Sequence, residues 1–165
     1  MVSSRFELIH TNNTQHPFVD AVNFVRDSGR KRVGLAMYDK LERDVVLTDS
    51  SFEDMHVAAT NGCLVLAGFD GNKQAAVHLP ASTAAHELKE IAERIFSHVS
   101  SNAHFVITGV PSFKTGLRRA LLEKVKQTLV ENGVNHLEIV ESGDAPNAVV
   151  LNSKEGKLHI FQGKS

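Results

Sequence analysis

At 165 residues the chain suits one domain (1–165) with a sizeable core, and its 42% hydrophobic and 22% charged residues are ordinary for a globular protein. A formal net charge of −1 gives no basic footprint for nucleic acid and no reason to expect an anionic membrane surface as partner. One cysteine excludes an internal disulfide, and the first residues, MVSSRFELIH, lack the apolar core of a signal peptide, so the expected location is the cytoplasm, or outside the cell by a route without a cleaved signal if the protein is an effector.

RFELIH reads as a short strand, followed by a helix over HPFVDAVNFVRDSGR. Pro17 suits its first turn, Phe18, Val22 and Val25 share a face, and Gly29 stops it. KRVGLAMYD and RDVVLTD are expected strands around a polar turn at residues 40–42, and MHVAAT is another strand. STAAHELKEIAERIFSHV predicts an amphipathic helix capped by Ser82 or Thr83, with Leu88, Ile91, Ile95 and Val99 as its stripe. AHFVITG is a strand. LRRALLEKVKQTLVENG is a helix with Leu117, Leu121, Val125 and Leu129 on one face, ending at Gly133. NHLEIVE, NAVVLN and KLHIF close the chain as strands. Strands at both ends with helices between predict an α+β layered fold around a mixed or antiparallel sheet.

The chemistry concentrates in AATNGCLVLAGFDGNKQAAVHLP, residues 58–80. CLVLAGFD and NKQAAVH flank Asp70-Gly71, a strong hairpin signal. A two-residue loop there pairs Phe69 with Asn72 and, carried outward, sets Cys63 opposite His78 on one sheet face; a four-residue loop keeps that register, whereas a three-residue loop with a bulge would shift it by one and separate the faces. Cross-strand Cβ atoms lie about 4.5–5.5 Å apart, close enough for a thiol–imidazole contact. An imidazole can take the thiol proton and later protonate a leaving amine. Gly62 admits a substrate carbonyl close to the backbone, and the Cys63 N–H is then a candidate oxyanion donor. The competing reading is an inert core cysteine, the usual fate of this residue type.

NGCLVLAGFDG…VHLPAS resembles the active-site stretch of the cysteine-dependent deamidases that unite bacterial chemoreceptor glutamine deamidase (CheD) and the cytotoxic necrotizing factor catalytic domain. HLPASTAAHELKEIAERIF, ITGVPSFKTGLRRALLEKVKQTLVENGV and NAVVLNSKEGKLHIF are similar to later CheD segments. The resemblance spans 57–161, with 1–56 an additional N-terminal portion of strands and helix. It implies a CheD/necrotizing-factor-like α+β domain that hydrolyses a protein glutamine side chain to glutamate, needing no cofactor. Cys63 would be the nucleophile and His78 the proton carrier, with Thr60, Asn61 and Gly62 in support. Val57 stands six positions before Cys63, where CheD carries a catalytic threonine. Either Thr60 or a backbone carbonyl, as in the necrotizing-factor type, would then orient His78. Were Thr60 and Cys63 on one continuous strand, their side chains would face opposite ways, which favours the carbonyl; only a bend at Asn61-Gly62, which that dipeptide favours, would bring Thr60 round.

Pro111, Ser112 and Phe113, in the loop before the last helix, are expected to face substrate or to serve only as a connector; Arg118 and Arg119 beyond them read as solvated surface. Nine histidines raise the question of metal, but no HExxH or Cys/His zinc spacing occurs, and no metal site is expected. The expected partner is a protein presenting glutamine, with a toxin or effector role and a chemotaxis role both open. The alternative is a non-catalytic binding module on the same fold.

Overall fold

Short apolar segments bounded by turns become strands, and the computed structural model, which describes residues 5–35, 38, 44–113, 115–142 and 145–164, arranges them in two five-stranded sheets. In chain order the elements are β1 (Glu7–Thr14), α1 (Pro17–Asp27), β2 (Arg32–Gly34), β3 (Val45–Asp49), β4 (Met55–Ala59), β5 (Cys63–Phe69) and β6 (Lys73–Pro80). There follow α2 (Ala85–Phe96), β7 (His104–Val110), α3 (Leu117–Glu131), β8 (His136–Glu141), β9 (Asn147–Asn152) and β10 (Lys157–Gly163). The first sheet has the order β1-β10-β9-β4-β2 and the second β3-β6-β5-β7-β8. Both are mixed: β1 with β10, β2 with β4 and β7 with β8 run parallel, and the other pairs antiparallel.

The α+β class is as the sequence implies, but there are two sheets where one was expected. The reason lies in β5, β7 and β9, which are buried along their whole length. A strand apolar on both faces needs a layer on each side. In β5, Leu64 and Leu66 point toward α2 and α3, meeting Ile91, Ile95 and Leu121. Val65 and Ala67 point the other way, against Ala58, Val149 and Leu151 of the first sheet. The outer face of that sheet, through Val57, Val150 and Phe161, packs on Ala21 and Val25 of α1. The layers are therefore α1, first sheet, second sheet, and the α2–α3 pair. Ile91 and Ile95 are 2% and 1% exposed, each side chain contributing about 1.5–3 kcal/mol of burial free energy.

Three local expectations change. Neither Ser82 nor Thr83 caps α2: Ala84 is the N-cap, its N–H donates to Glu87 Oε1 at 3.0 Å, and the Thr83 hydroxyl donates to the Pro80 carbonyl at 2.7 Å. Leu117 is 73% exposed, because α3 buries the stripe Leu121, Leu122, Val125 and Leu129 instead. The strand expected over KRVGLAMYD ends at Gly34. Beyond it the Leu35 N–H donates to the Val57 carbonyl in the first sheet (2.9 Å) and the Tyr38 N–H to the His78 carbonyl in the second (2.7 Å). The turn expected at residues 40–42 lies outside the described residues.

Candidate functional site at Cys63

The site forms where the chain passes from one sheet to the other. Thr60 extends the β4–β9 ladder by one step, its N–H donating to the Asn147 carbonyl at 2.9 Å. The Asn147 N–H donates in turn to Asn61 Oδ1 at 2.9 Å. Gly62 then adopts φ +83°, a conformation that favours glycine, and the Cys63 N–H closes the bend on the Thr60 carbonyl at 3.4 Å. Of the two alternatives for Asn61-Gly62 the bend is the one formed, and it puts Thr60 and Cys63 in opposite sheets rather than on one continuous strand. One expectation fails here: the Cys63 N–H is turned to the Thr60 carbonyl rather than left open for an oxyanion.

The hairpin register also differs. The Asp70 N–H donates to the Lys73 carbonyl at 3.2 Å, so the two-residue loop is Gly71-Asn72 rather than Asp70-Gly71. Lys73 N–H donating to Asp70 Oδ1 at 3.1 Å braces it. Consequently Cys63 faces Pro80, and His78 faces Val65. The direct Cys63–His78 pairing is thus incorrect by two residues, and a slip of two preserves the face. Cys63 and His78 are diagonal neighbours on the surface that looks into the space between the sheets, a relation that sets Cα atoms about 7–8 Å apart.

Carbonyl oxygens only accept hydrogen bonds, so the 3.1 Å contact between His78 Nδ1 and the Leu35 carbonyl puts the ring proton on Nδ1. Nε2 then carries the lone pair. Of the two expected orienting groups, the hydrogen bond is made by a backbone carbonyl. Thr60 Oγ1, on a residue with 0% exposure, has no hydrogen-bond partner among the described residues, and neither has His78 Nε2. Burial holds the His78 pKa below the usual imidazole value, partly offset by the Leu35 and Ala59 carbonyls. Burial likewise pushes the Cys63 thiol up, with Arg118 pulling in the opposite direction. Both groups are therefore neutral at pH 7, a thiol and an imidazole on one sheet face rather than a preformed ion pair.

The loop after β7 supplies the other wall. Gly109, at φ +81°, packs against the backbone of Cys63: a Cβ there would overlap the Cys63 carbonyl oxygen and lie 3.2 Å from Thr60 Cβ. The Gly109 carbonyl accepts a hydrogen bond from Arg118 Nη1 at 3.2 Å, and the guanidinium lies 5.7 Å from the centre of the Phe113 ring. Arg118 is thus not the solvated surface cation expected from the sequence. Arg119 Nη1 donates to the Pro111 carbonyl at 3.3 Å. Of the expected loop residues, Pro111 is buried while Ser112 and Phe113 are exposed.

The sequence singles out Cys63, His78, Thr60, Asn61 and Gly62 of this candidate site and does not single out Leu35, Thr108, Gly109 and Asn147. Only Gly109, in a strand-to-helix loop, carried a local signal. Among the described residues no three or more His, Cys, Asp and Glu side chains are placed to hold a metal ion, and no helix is long and apolar enough to cross a membrane. The chain matches no protein-family model and no curated protein.

Proposed function

We propose that the chain is a cysteine hydrolase that deamidates glutamine side chains of proteins, on a CheD/necrotizing-factor-like fold. The observation that carries this reading is the Leu35 carbonyl on His78 Nδ1, which leaves Nε2 as a proton acceptor on the face occupied by Cys63. As Cys63 Sγ attacks the carboxamide carbon, its proton passes to Nε2. The protonated His78 then gives that proton to the departing nitrogen, ammonia leaves, and a thioester remains. Water, deprotonated by Nε2, attacks the thioester; the thiolate recovers the proton, and glutamate is released. Because thiol and imidazole start neutral, proton transfer accompanies attack rather than preceding it.

Incubation with chemoreceptor and other candidate proteins tests the reading. The expected result is a gain of about one dalton at glutamine with release of ammonia, lost in Cys63→Ala and His78→Ala proteins that keep their circular dichroism. Deamidation that survives Cys63→Ala removes this cysteine from the mechanism. The upward displacement of the thiol pKa favours the second reading, a binding module without chemistry. That module predicts Cys63 alkylation with no dependence on His78.

A further inference from the structure

Among the described residues, eight buried side-chain nitrogen or oxygen atoms lack a hydrogen-bond partner, and four of them belong to Thr60, His78, Thr108 and Asn147. These four lie on the strands and strand ends that flank Cys63. His78 and Thr108 are the partners of Val65 on either side, in β6 and β7, and Cys63 is two residues along the same face of β5. Thr60 approaches from the first sheet, its Cβ 3.2 Å from where a Cβ on Gly109, the residue after Thr108, would stand. Asn147 sits beside Thr60 on the β4–β9 ladder. Thr60, Thr108 and Asn147 are 0%, 1% and 3% exposed. A buried polar atom without a partner costs about 1–3 kcal/mol, a cost that a ligand pairing with several of these four would offset.

We infer that Thr108 and Asn147 bind the primary carboxamide of the substrate and distinguish it from the carboxylate product; this rests on the deamidase reading. The donor pattern supports the assignment. Asn147 Nδ2 donates to the Ala145 carbonyl at 2.7 Å, which fixes the amide orientation and leaves Oδ1 as a bare acceptor. A carboxamide N–H satisfies that oxygen, whereas a carboxylate oxygen opposes it. The Thr108 hydroxyl donates to the carboxamide oxygen. A site whose buried polar atoms go unpaired with the wrong ligand discriminates strongly.

Alkylation of Cys63 by iodoacetamide and by iodoacetate, at matched pH and ionic strength, reads this directly, with glutathione giving the ratio for an unguided thiol. The expected carboxamide preference exceeds that of glutathione by about tenfold or more. Thr108→Val and Asn147→Ala each lower it severalfold, while reaction with methyl methanethiosulfonate, which carries no carboxamide, changes less than about twofold. If Asn147→Ala fails to fold for want of its bond to Ala145, Thr108→Val, which keeps the shape, decides. A ratio equal to that of glutathione, a ratio unchanged in Thr108→Val, or an equal fall with all three reagents overturns the proposal. A carboxamide preference that the variants lose, in a protein that deamidates no glutamine, sustains the site and refutes the deamidase reading alone.

Discussion

Replacing Gly109 by alanine tests whether the loop after β7 holds Cys63 in place. Gly109 and Gly29 have nearly the same backbone, φ +81° and +77°, so alanine meets the same left-handed penalty at both, about 1–2 kcal/mol. Their surroundings differ. A Cβ on Gly29 meets nothing within 4 Å, whereas one on Gly109 overlaps the Cys63 carbonyl oxygen. That neighbour is backbone and cannot rotate away, which adds about 1–3 kcal/mol of overpacking. For a chain of this length 1 kcal/mol moves Tm by about 2–4 °C. Gly109→Ala should therefore melt about 4–20 °C below the wild type and Gly29→Ala about 2–8 °C below, measured by circular dichroism on the same preparation. The displaced carbonyl should also change the rate of Cys63 alkylation in Gly109→Ala but not in Gly29→Ala. Equal melting losses with unchanged thiol reactivity would refute the argument.

Arg118→Gln removes the cation that counters burial at Cys63, so the thiol pKa rises further and alkylation at pH 8 slows; a rate equal to wild type separates the guanidinium from the thiol. Thr60→Val removes a buried hydroxyl that has no partner among the described residues and keeps the shape, so Tm should rise by about 2–12 °C, while nitrogen NMR still finds the His78 proton on Nδ1. Acidification should destabilise the protein. His56, His78, His104 and His159 are each held below 6.5 by burial, with smaller contributions from neighbouring charges at His56, His104 and His159. The unfolded chain then binds more protons below that value, so stability is full above pH 6.5 and declines as pH falls through it toward the folded-state values. Urea midpoints at pH 7.5, 6.5 and 5.5 check this, and a flat profile contradicts it.

Much of the local structure was legible because it follows from local rules. Pro17 at the first position of α1 sets φ for a helix, and the 3.6-residue stripe of Leu88, Ile91 and Ile95 gives α2 its buried face without reference to any other segment. Cys63 and His78 were legible as a pair on one face, because alternation along a hairpin survives a slip of two residues. Their offset was not, since Asp70-Gly71 and Gly71-Asn72 are both acceptable turns and the choice falls to the packing of β5 and β6. The Leu35 carbonyl that orients His78 could not be read at all, because a backbone oxygen has no residue identity and becomes a partner only when Leu35, which bonds to the first sheet, comes against a histidine of the second. The same holds for Thr60, Thr108 and Asn147, which lie on three different segments. What the sequence determined is where the strands and helices lie and which face of each is apolar, since propensity and periodicity act within a few residues. Which polar atoms surround the thiol is decided by the stacking of two sheets, since that alone brings residues 60, 78, 108 and 147 to one end of a shared interior.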